Sequence, residues 1–283
     1  MADLIAQRYE LLGKLGRSRL GEIVKVLDTK TKTVVAMKVF KAQSVSPQAL
    51  PRIEREVHAV RNLKHPNIVD VIDVGVDNGR VFLTMELLVG GDLRQYIHAT
   101  RPNGAGGPEG APPFDEYVHR IAYIFHQVAD ALGAAHAAGL VHRDVKPESI
   151  FVKAGRFPRV KLLEFCDPKG PAGGQDLTVT GTMLGAAWYA PPEQASGRPV
   201  TAAADLYSLG CVLFEALAGK PPFAGTTAMD MIVAHMQKPA PIAAELDPRI
   251  PQDVSALIFG LMHKEPADRV APASAVMDIL AKY

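Results

Sequence analysis

The sequence predicts an α+β protein of two lobes, a small β-rich one followed by a larger, mostly helical one. Residues 9–41 alternate in polarity with the period of strands. Residues 47–63 then switch to the helical period, and helical patterns dominate from Asp92 onward. A chain of 283 residues suits about two such units and a sizeable core.

Tyr9–Leu15, Glu22–Asp28 and Thr33–Phe40 are expected as strands, with turns at Gly16–Gly21 and Thr29–Lys32. In the helix that follows, Ile53, Val57, Val60 and Leu63 share one face and charges fill the other. Pro66 stops it. Strands at Val69–Val74 and Arg80–Glu86 flank the turn Asp77-Asn78-Gly79 and complete a five-stranded lobe, residues 1–88. A junction near Leu88-Val89-Gly90-Gly91 opens the second lobe, residues 89–283. Residues 99–113, rich in Gly and Pro, form a surface insert. Phe114–Ala138 is a long amphipathic helix, and two short β segments lie at Ile150–Lys153 and Arg159–Leu163. Further helices are expected at 201–218, 226–236, 251–263 and 272–282.

Composition excludes several classes. Lys and Arg number 31 against 30 Asp and Glu, so no overall field draws the chain to nucleic acid or anionic lipid. No apolar run approaches the ~18 residues of a membrane helix. Met1-Ala2-Asp3-Leu4 lacks the basic start of a signal peptide. The two cysteines, Cys166 and Cys211, stand in no metal-ligand spacing. A cytoplasmic location is expected, either free or as the cytoplasmic part of a longer protein.

Four features recur in one order, each on a fitting element. Leu15-Gly16-Arg17-Ser18-Arg19-Leu20-Gly21 lies between two strands, where glycines let backbone amides approach phosphate oxygens. Alone, two such glycines mean no more than a hairpin turn. Val35-Ala36-Met37-Lys38 puts a lysine on the third strand, either a phosphate-binding point charge or a solvated residue. Glu56 sits beside Val57 and Val60 on the next helix, with a solvated face as the bland alternative. The fourth, Val141-His142-Arg143-Asp144-Val145-Lys146-Pro147-Glu148-Ser149-Ile150, is too specific for chance.

With these in register, the chain resembles a bacterial, eukaryotic-like (Hanks-type) Ser/Thr protein kinase domain over about residues 8–280. Ala190-Pro191-Pro192-Glu193-Gln194 and Asp205-Leu206-Tyr207-Ser208-Leu209-Gly210 resemble later motifs of that family, and Arg269 stands where it places the ion-pair partner of Glu193. The resemblance implies a protein-kinase-like bilobal fold and an ATP site. Lys38 would hold the α- and β-phosphates and pair with Glu56. Leu15, Gly16, Gly21, Ile23, Ala36, Phe151 and the gatekeeper Met85 would surround the nucleotide, and Glu86 to Leu88 would offer backbone hydrogen bonds to adenine. Asp144 would orient the substrate hydroxyl and accept its proton, with Lys146 beside the γ-phosphate. Val60, Val71, His142 and Phe165 would stack as an internal column resting on Asp205.

Several positions depart from the family pattern. The Asp-Phe-Gly slot reads Glu164-Phe165-Cys166, and the catalytic-loop Asn slot is Ser149. In the family those two positions hold Mg²⁺, an ion that demands near-octahedral geometry at roughly 2.0–2.1 Å. The extra methylene of Glu164 moves its carboxylate by about 1 Å, and a misplacement of that size can cost about 100-fold. Cys166 replaces a flexible glycine, and a redox role for it is weighed against inert packing. Gly185-Ala186 lacks the family's threonine hydroxyl next to the catalytic Asp. Thr178 and Thr180 resemble a phosphorylated pair for which Arg143 is the phosphate binder; the plain alternative is a polar loop.

Two readings follow. In one, the domain is a pseudokinase: it binds ATP with Mg²⁺ or Mn²⁺ weak or absent, transfers phosphate poorly or not at all, and works by binding another signalling protein or kinase. In the other, it is an active Ser/Thr kinase with a protein substrate and atypical ligation through Glu164 and Ser149. A small-molecule kinase fits poorly with Ala190 to Gln194. The residues leave substrate, partner and oligomeric state open.

Overall fold

The computed structural model describes residues 4–18, 21–41, 50–102, 110–153, 157–165 and 187–283. Its first lobe is a six-stranded antiparallel sheet in the order β1-β2-β3-β4-β6-β5. The strands are β1 (Leu4–Ile5), β2 (Tyr9–Ser18), β3 (Gly21–Asp28), β4 (Thr33–Phe40), β5 (Val71–Asp77) and β6 (Arg80–Met85). The expected five strands become six because Leu4 and Ile5 pair with Glu10 and Tyr9. A two-residue strand is too short to show alternation. The fifth strand also starts later than Val69, since Ile68 and Val69 bond to Leu162 in the second lobe instead.

Alternation buries both faces of this sheet. Tyr9, Val24, Val26, Val35, Met37 and Phe82 close one face. Phe40, Val71, Val81 and Leu83 join Ile53, Val57 and Val60 of helix α1 (Leu50–Asn62) on the other. That second cluster continues without a break into the other lobe. Arg8 ties the start of the sheet together, with bidentate contacts to Asp28 at 2.8 and 2.6 Å and a third to Asp73 at 2.6 Å. This pairing drives the Asp28 carboxyl far below the usual range.

The second lobe begins with β7 (Gly90–Asp92), which pairs with β8 (Ile150–Lys153), itself paired with β9 (Arg159–Leu162). Helix α2 (Leu93–Thr100) starts with a capping box, Asp92 accepting from the Gln95 amide and Gln95 reaching back to the Asp92 amide. Helices α3 (Phe114–Ala137), α4 (Pro192–Ala195), α5 (Ala202–Ala218), α6 (Ala228–Gln237), α7 (Ala243–Leu246), α8 (Gln252–Leu261) and α9 (Ala273–Leu280) follow. Every residue of α5 from Ala204 to Leu217 is buried, so this helix is the axis of the lobe rather than an amphipathic surface element. It stops at Gly219, whose φ of 78° is left-handed. Arg101 satisfies the Leu217 carbonyl at that end, at 2.9 and 3.2 Å.

Two buried polar groups brace this lobe. Arg269 grips Glu193 at 2.6 and 2.7 Å and also donates to the backbone carbonyls of Ala203, His263 and Lys264. Arg269→Met should therefore strand the Glu193 carboxylate and lower unfolding free energy by about 3–5 kcal/mol in urea titrations. His235 donates from Nε2 to the Trp188 carbonyl and accepts the Tyr207 hydroxyl at Nδ1, each at 2.9 Å. Burial pushes its pKa down from 6.5 to about 4. Below pH 6.5 the unfolded chain binds a proton that the folded chain refuses. Stability should fall by up to about 1.4 kcal/mol per pH unit from pH 6.5 toward 4. His235→Gln should flatten that slope in pH-dependent thermal melts.

Candidate functional site at the lobe junction

The site is assembled around Asp205, in the first turn of α5. Its carboxylate is 1% exposed and accepts three bonds: the His142 amide at 2.8 Å, the Arg143 amide at 2.7 Å and His136 Nε2 at 2.7 Å. These fix the turn that presents Asp144. His142 donates from Nε2 to the Leu163 carbonyl at 2.5 Å and accepts the Asp144 amide at Nδ1, 3.2 Å away. One imidazole thus joins the loop of Asp144 to the segment carrying Glu164. Phe165 packs edge-on against that ring at 4.7 Å, and Val60 and Val71 lie in the same buried cluster. The expected column is present.

Glu164 lies at the centre. Its Oε1 is 2.5 Å from Lys38 Nζ on β4, and its Oε2 is 3.4 Å from Lys146 Nζ. Lys146 in turn contacts the Asp144 carboxylate. Burial would raise the Glu164 pKa, but Lys38 and then Lys146 outweigh it and hold the carboxyl down at about 2. The backbone of Glu164 has a left-handed φ of 67°, as does Arg143 at 66°. Such strain in side-chain-bearing residues concentrates at functional sites.

The expected Lys38–Glu56 pair is not the one formed. Lys38 bonds to Glu164, and among the described residues no ion pair joins it to Glu56. Glu164 brings its carboxylate to the ammonium from the segment after β9. Ser149 is fully buried, and its hydroxyl turns inward. It donates to the Lys146 carbonyl at 2.9 Å and accepts the Lys146 amide at 3.1 Å, closing a short 3₁₀ turn, Pro147–Ser149.

The residues expected around the nucleotide differ in exposure. Ala36 is buried, Ile23, Met85, Leu88 and Phe151 are half-buried, and Leu15 stands exposed at the rim. Ile23, Lys38, Met85, Leu163, Glu164 and Phe165 share the lining of a cavity of about 40 Å³, room for roughly three waters. Gly16 has open space around it, but a Cβ at Gly21 would lie 2.0 Å from the Val39 carbonyl oxygen. Gly21 is needed for strand packing. Arg17 faces Glu22 at 3.5 Å on the hairpin surface. The Glu86 amide donates to the Asp70 carbonyl at 3.0 Å, so in that residue the carbonyl is the group left for a ligand. Thr178, Thr180, Cys166 and Ala186 lie outside the described residues.

Two supports were not read from the sequence. The Glu86 side chain pairs at 2.6 Å with Lys161 of β9, whose ammonium also holds the Ile68 carbonyl at 2.9 Å. Arg94 of α2 joins Glu148 at 2.6 Å, Glu215 at 2.8 Å and the Tyr189 hydroxyl at 2.7 Å. Each links residues 54–121 positions apart. A lysine in an alternating strand and an arginine in a short helix carry no sequence mark of such partners.

A fold with a lysine strand, a His142-Arg143-Asp144 turn held by a buried aspartate, and a cleft between lobes defines a protein kinase domain. The protein kinase domain model matches residues 9–280, and the chain belongs to that family. It is 37% identical over 267 residues to the serine/threonine-protein kinase PknD of Mycobacterium tuberculosis, covering 94% of this chain and 38% of PknD. PknH of Mycobacterium bovis is 35% identical over 266 residues, covering 94% of this chain and 42% of PknH. The chain thus spans less than half the length of these relatives. The crystal structure of the Mycobacterium tuberculosis PknI kinase domain superposes with a TM-score of 0.76 at 24% identity, covering 99% of this chain and 98% of that one. No helix among the described residues is long and apolar enough to cross a membrane.

The family's Mg²⁺ does not fit the residues as they stand. Both Glu164 oxygens face ammonium groups, and the Ser149 hydroxyl is spent on the Lys146 backbone. Lys38 and Lys146, by contrast, both point their ammonium groups at the Glu164 carboxylate. Because Asp205 accepts the amides of both His142 and Arg143, Asp205→Ala should cost about 3 kcal/mol in stability. It should also speed amide hydrogen exchange at residues 142–144 ahead of global unfolding.

Proposed function

We propose that this kinase domain is a pseudokinase: it binds nucleotide, transfers phosphate poorly or not at all, and acts by binding a signalling protein or another kinase. The observation that carries this reading is the state of the two metal positions. Glu164 is committed to Lys38 and Lys146, and Ser149 to the Lys146 backbone. Asp144 and its anchor are intact, so the defect is local to ligation. The curated relatives are named as serine/threonine kinases, which makes a protein the natural partner class. A cytoplasmic setting agrees with that partner.

The experiment is phosphate incorporation into the chain and into a basic protein substrate, with Mg²⁺ and with Mn²⁺. Incorporation is expected to stay at the level of an Asp144→Asn control. Robust labelling that vanishes in that control would instead make the chain an active kinase with atypical ligation. The double change Ser149→Asn with Glu164→Asp should create metal-dependent nucleotide binding. In thermal melts it should yield about 2.7 kcal/mol of added stability at ligand near 100 Kd. Turnover should recover less, since Cys166 and Ala186 remain.

A further inference from the structure

We infer that the cleft takes the phosphates of a nucleotide without a divalent ion, the phosphate oxygens exchanging with the Glu164 carboxylate between Lys38 and Lys146. This rests on the nucleotide-binding part of the reading above and adds how the ligand is held.

The Glu164 carboxylate marks an anion position. One of its oxygens meets Lys38 at 2.5 Å and the other meets Lys146 at 3.4 Å. A phosphate group offers two anionic oxygens at a similar spacing and accepts the same charge-assisted bonds. The Lys38 and Lys146 side chains are only 5% and 13% exposed, so an anion between them is poorly screened by solvent. Lys38, Lys146, Glu164 and Asp144 sum to zero formal charge. A nucleotide can enter this set by substitution: its phosphate replaces one carboxylate on the two ammonium groups.

A divalent ion works against that exchange. Bound to the phosphates, it masks the charge that competes with Glu164. On the protein side both Glu164 oxygens already face ammonium groups, and Ser149 is closed onto the Lys146 backbone. In an ordinary kinase the metal bridges protein and phosphates; here the internal carboxylate is the rival of the phosphates. The ligand is a nucleotide rather than bare polyphosphate. Ile23, Leu83, Met85 and Leu163 line an apolar cavity next to Lys38 that phosphate alone would leave wet.

The test is calorimetric titration of the whole chain with ATP in EDTA, then with Mg²⁺ raised stepwise, and in parallel with inorganic tripolyphosphate. ATP should bind in EDTA, more tightly than tripolyphosphate, and added Mg²⁺ should weaken it. Glu164→Gln removes the rival charge and should tighten metal-free ATP binding by about tenfold. Lys38→Met should abolish it. Should Glu164→Gln fail to fold, the Mg²⁺ series on the unaltered chain decides alone. ATP binding that requires Mg²⁺, or no ATP binding at all, overturns the inference. Tripolyphosphate binding equal to ATP overturns the nucleotide as ligand. The absence of phosphate transfer is read from a separate assay, so either idea can fail without the other.

Discussion

The geometry of the cleft depends on one carboxylate held between two ammonium groups. Glu164 reaches Lys38 from the segment after β9 and Lys146 from the same side of the cleft, and so links the first lobe's sheet to the loop of Asp144. A salt bridge at the surface contributes little, because water screens it and long side chains lose entropy. This one is half-enclosed, and its lysine on β4 is almost wholly buried. Removing either member would leave a charge with nowhere to go. The left-handed backbone of Glu164 is tolerable in that setting. The ion pairs and the His142–Leu163 bond over-determine the position of the segment.

Scaffold and chemistry separate cleanly here. The scaffold uses backbone-directed bonds: Asp205 to two amides, His142 to a carbonyl, Arg269 to three carbonyls in addition to Glu193. These depend on where a side chain is anchored in the core. Two of the departures, Ser149 and Glu164, fall at the positions where the family holds its metal. A serine there finds the nearest backbone groups and closes onto them. A glutamate there finds the nearest cations. Both outcomes follow from the same rule, that a polar group near the interior takes whatever partner is within reach.

Much of this was legible in the sequence. The alternation over 9–41, the helical face of Ile53, Val57 and Val60, and the His142 to Ile150 string located the two lobes and the loop of Asp144. What stayed hidden depends on distances between elements. The partner of Lys38 is set by how far α1 stands from β4 and how long the residue at position 164 is, and neither is encoded in local period. Gly21 read as a phosphate-loop glycine, yet its requirement comes from the Val39 carbonyl on the adjacent strand. Leu4–Ile5 showed no pattern because two residues cannot show one. The Lys161–Glu86 and Arg94–Glu148 links join segments that only the fold brings together.

Lys38, Asp144 and Lys146 stand beside Glu164 and Ser149, and their presence invites a reading of catalysis, since groups without a task need not stay. Electrostatics supplies another reason for them. Lys38 is buried and requires an anion; Glu164 is that anion and is kept ionised by Lys38 and Lys146. Lys146 faces both Glu164 and Asp144, and Asp144 is the group that balances it. Delete one member and the remaining three no longer sum to zero, at a cost of several kcal/mol for each stranded, partly buried ion. The four residues therefore hold one another in place as a neutral set, whether or not phosphate is transferred. A change of aspartate to glutamate at position 164 is the kind such a set accepts, because it preserves the charge while altering the reach. The presence of Asp144, Lys38 and Lys146 is thus evidence for the integrity of the cleft, and only a measurement of phosphate transfer bears on turnover.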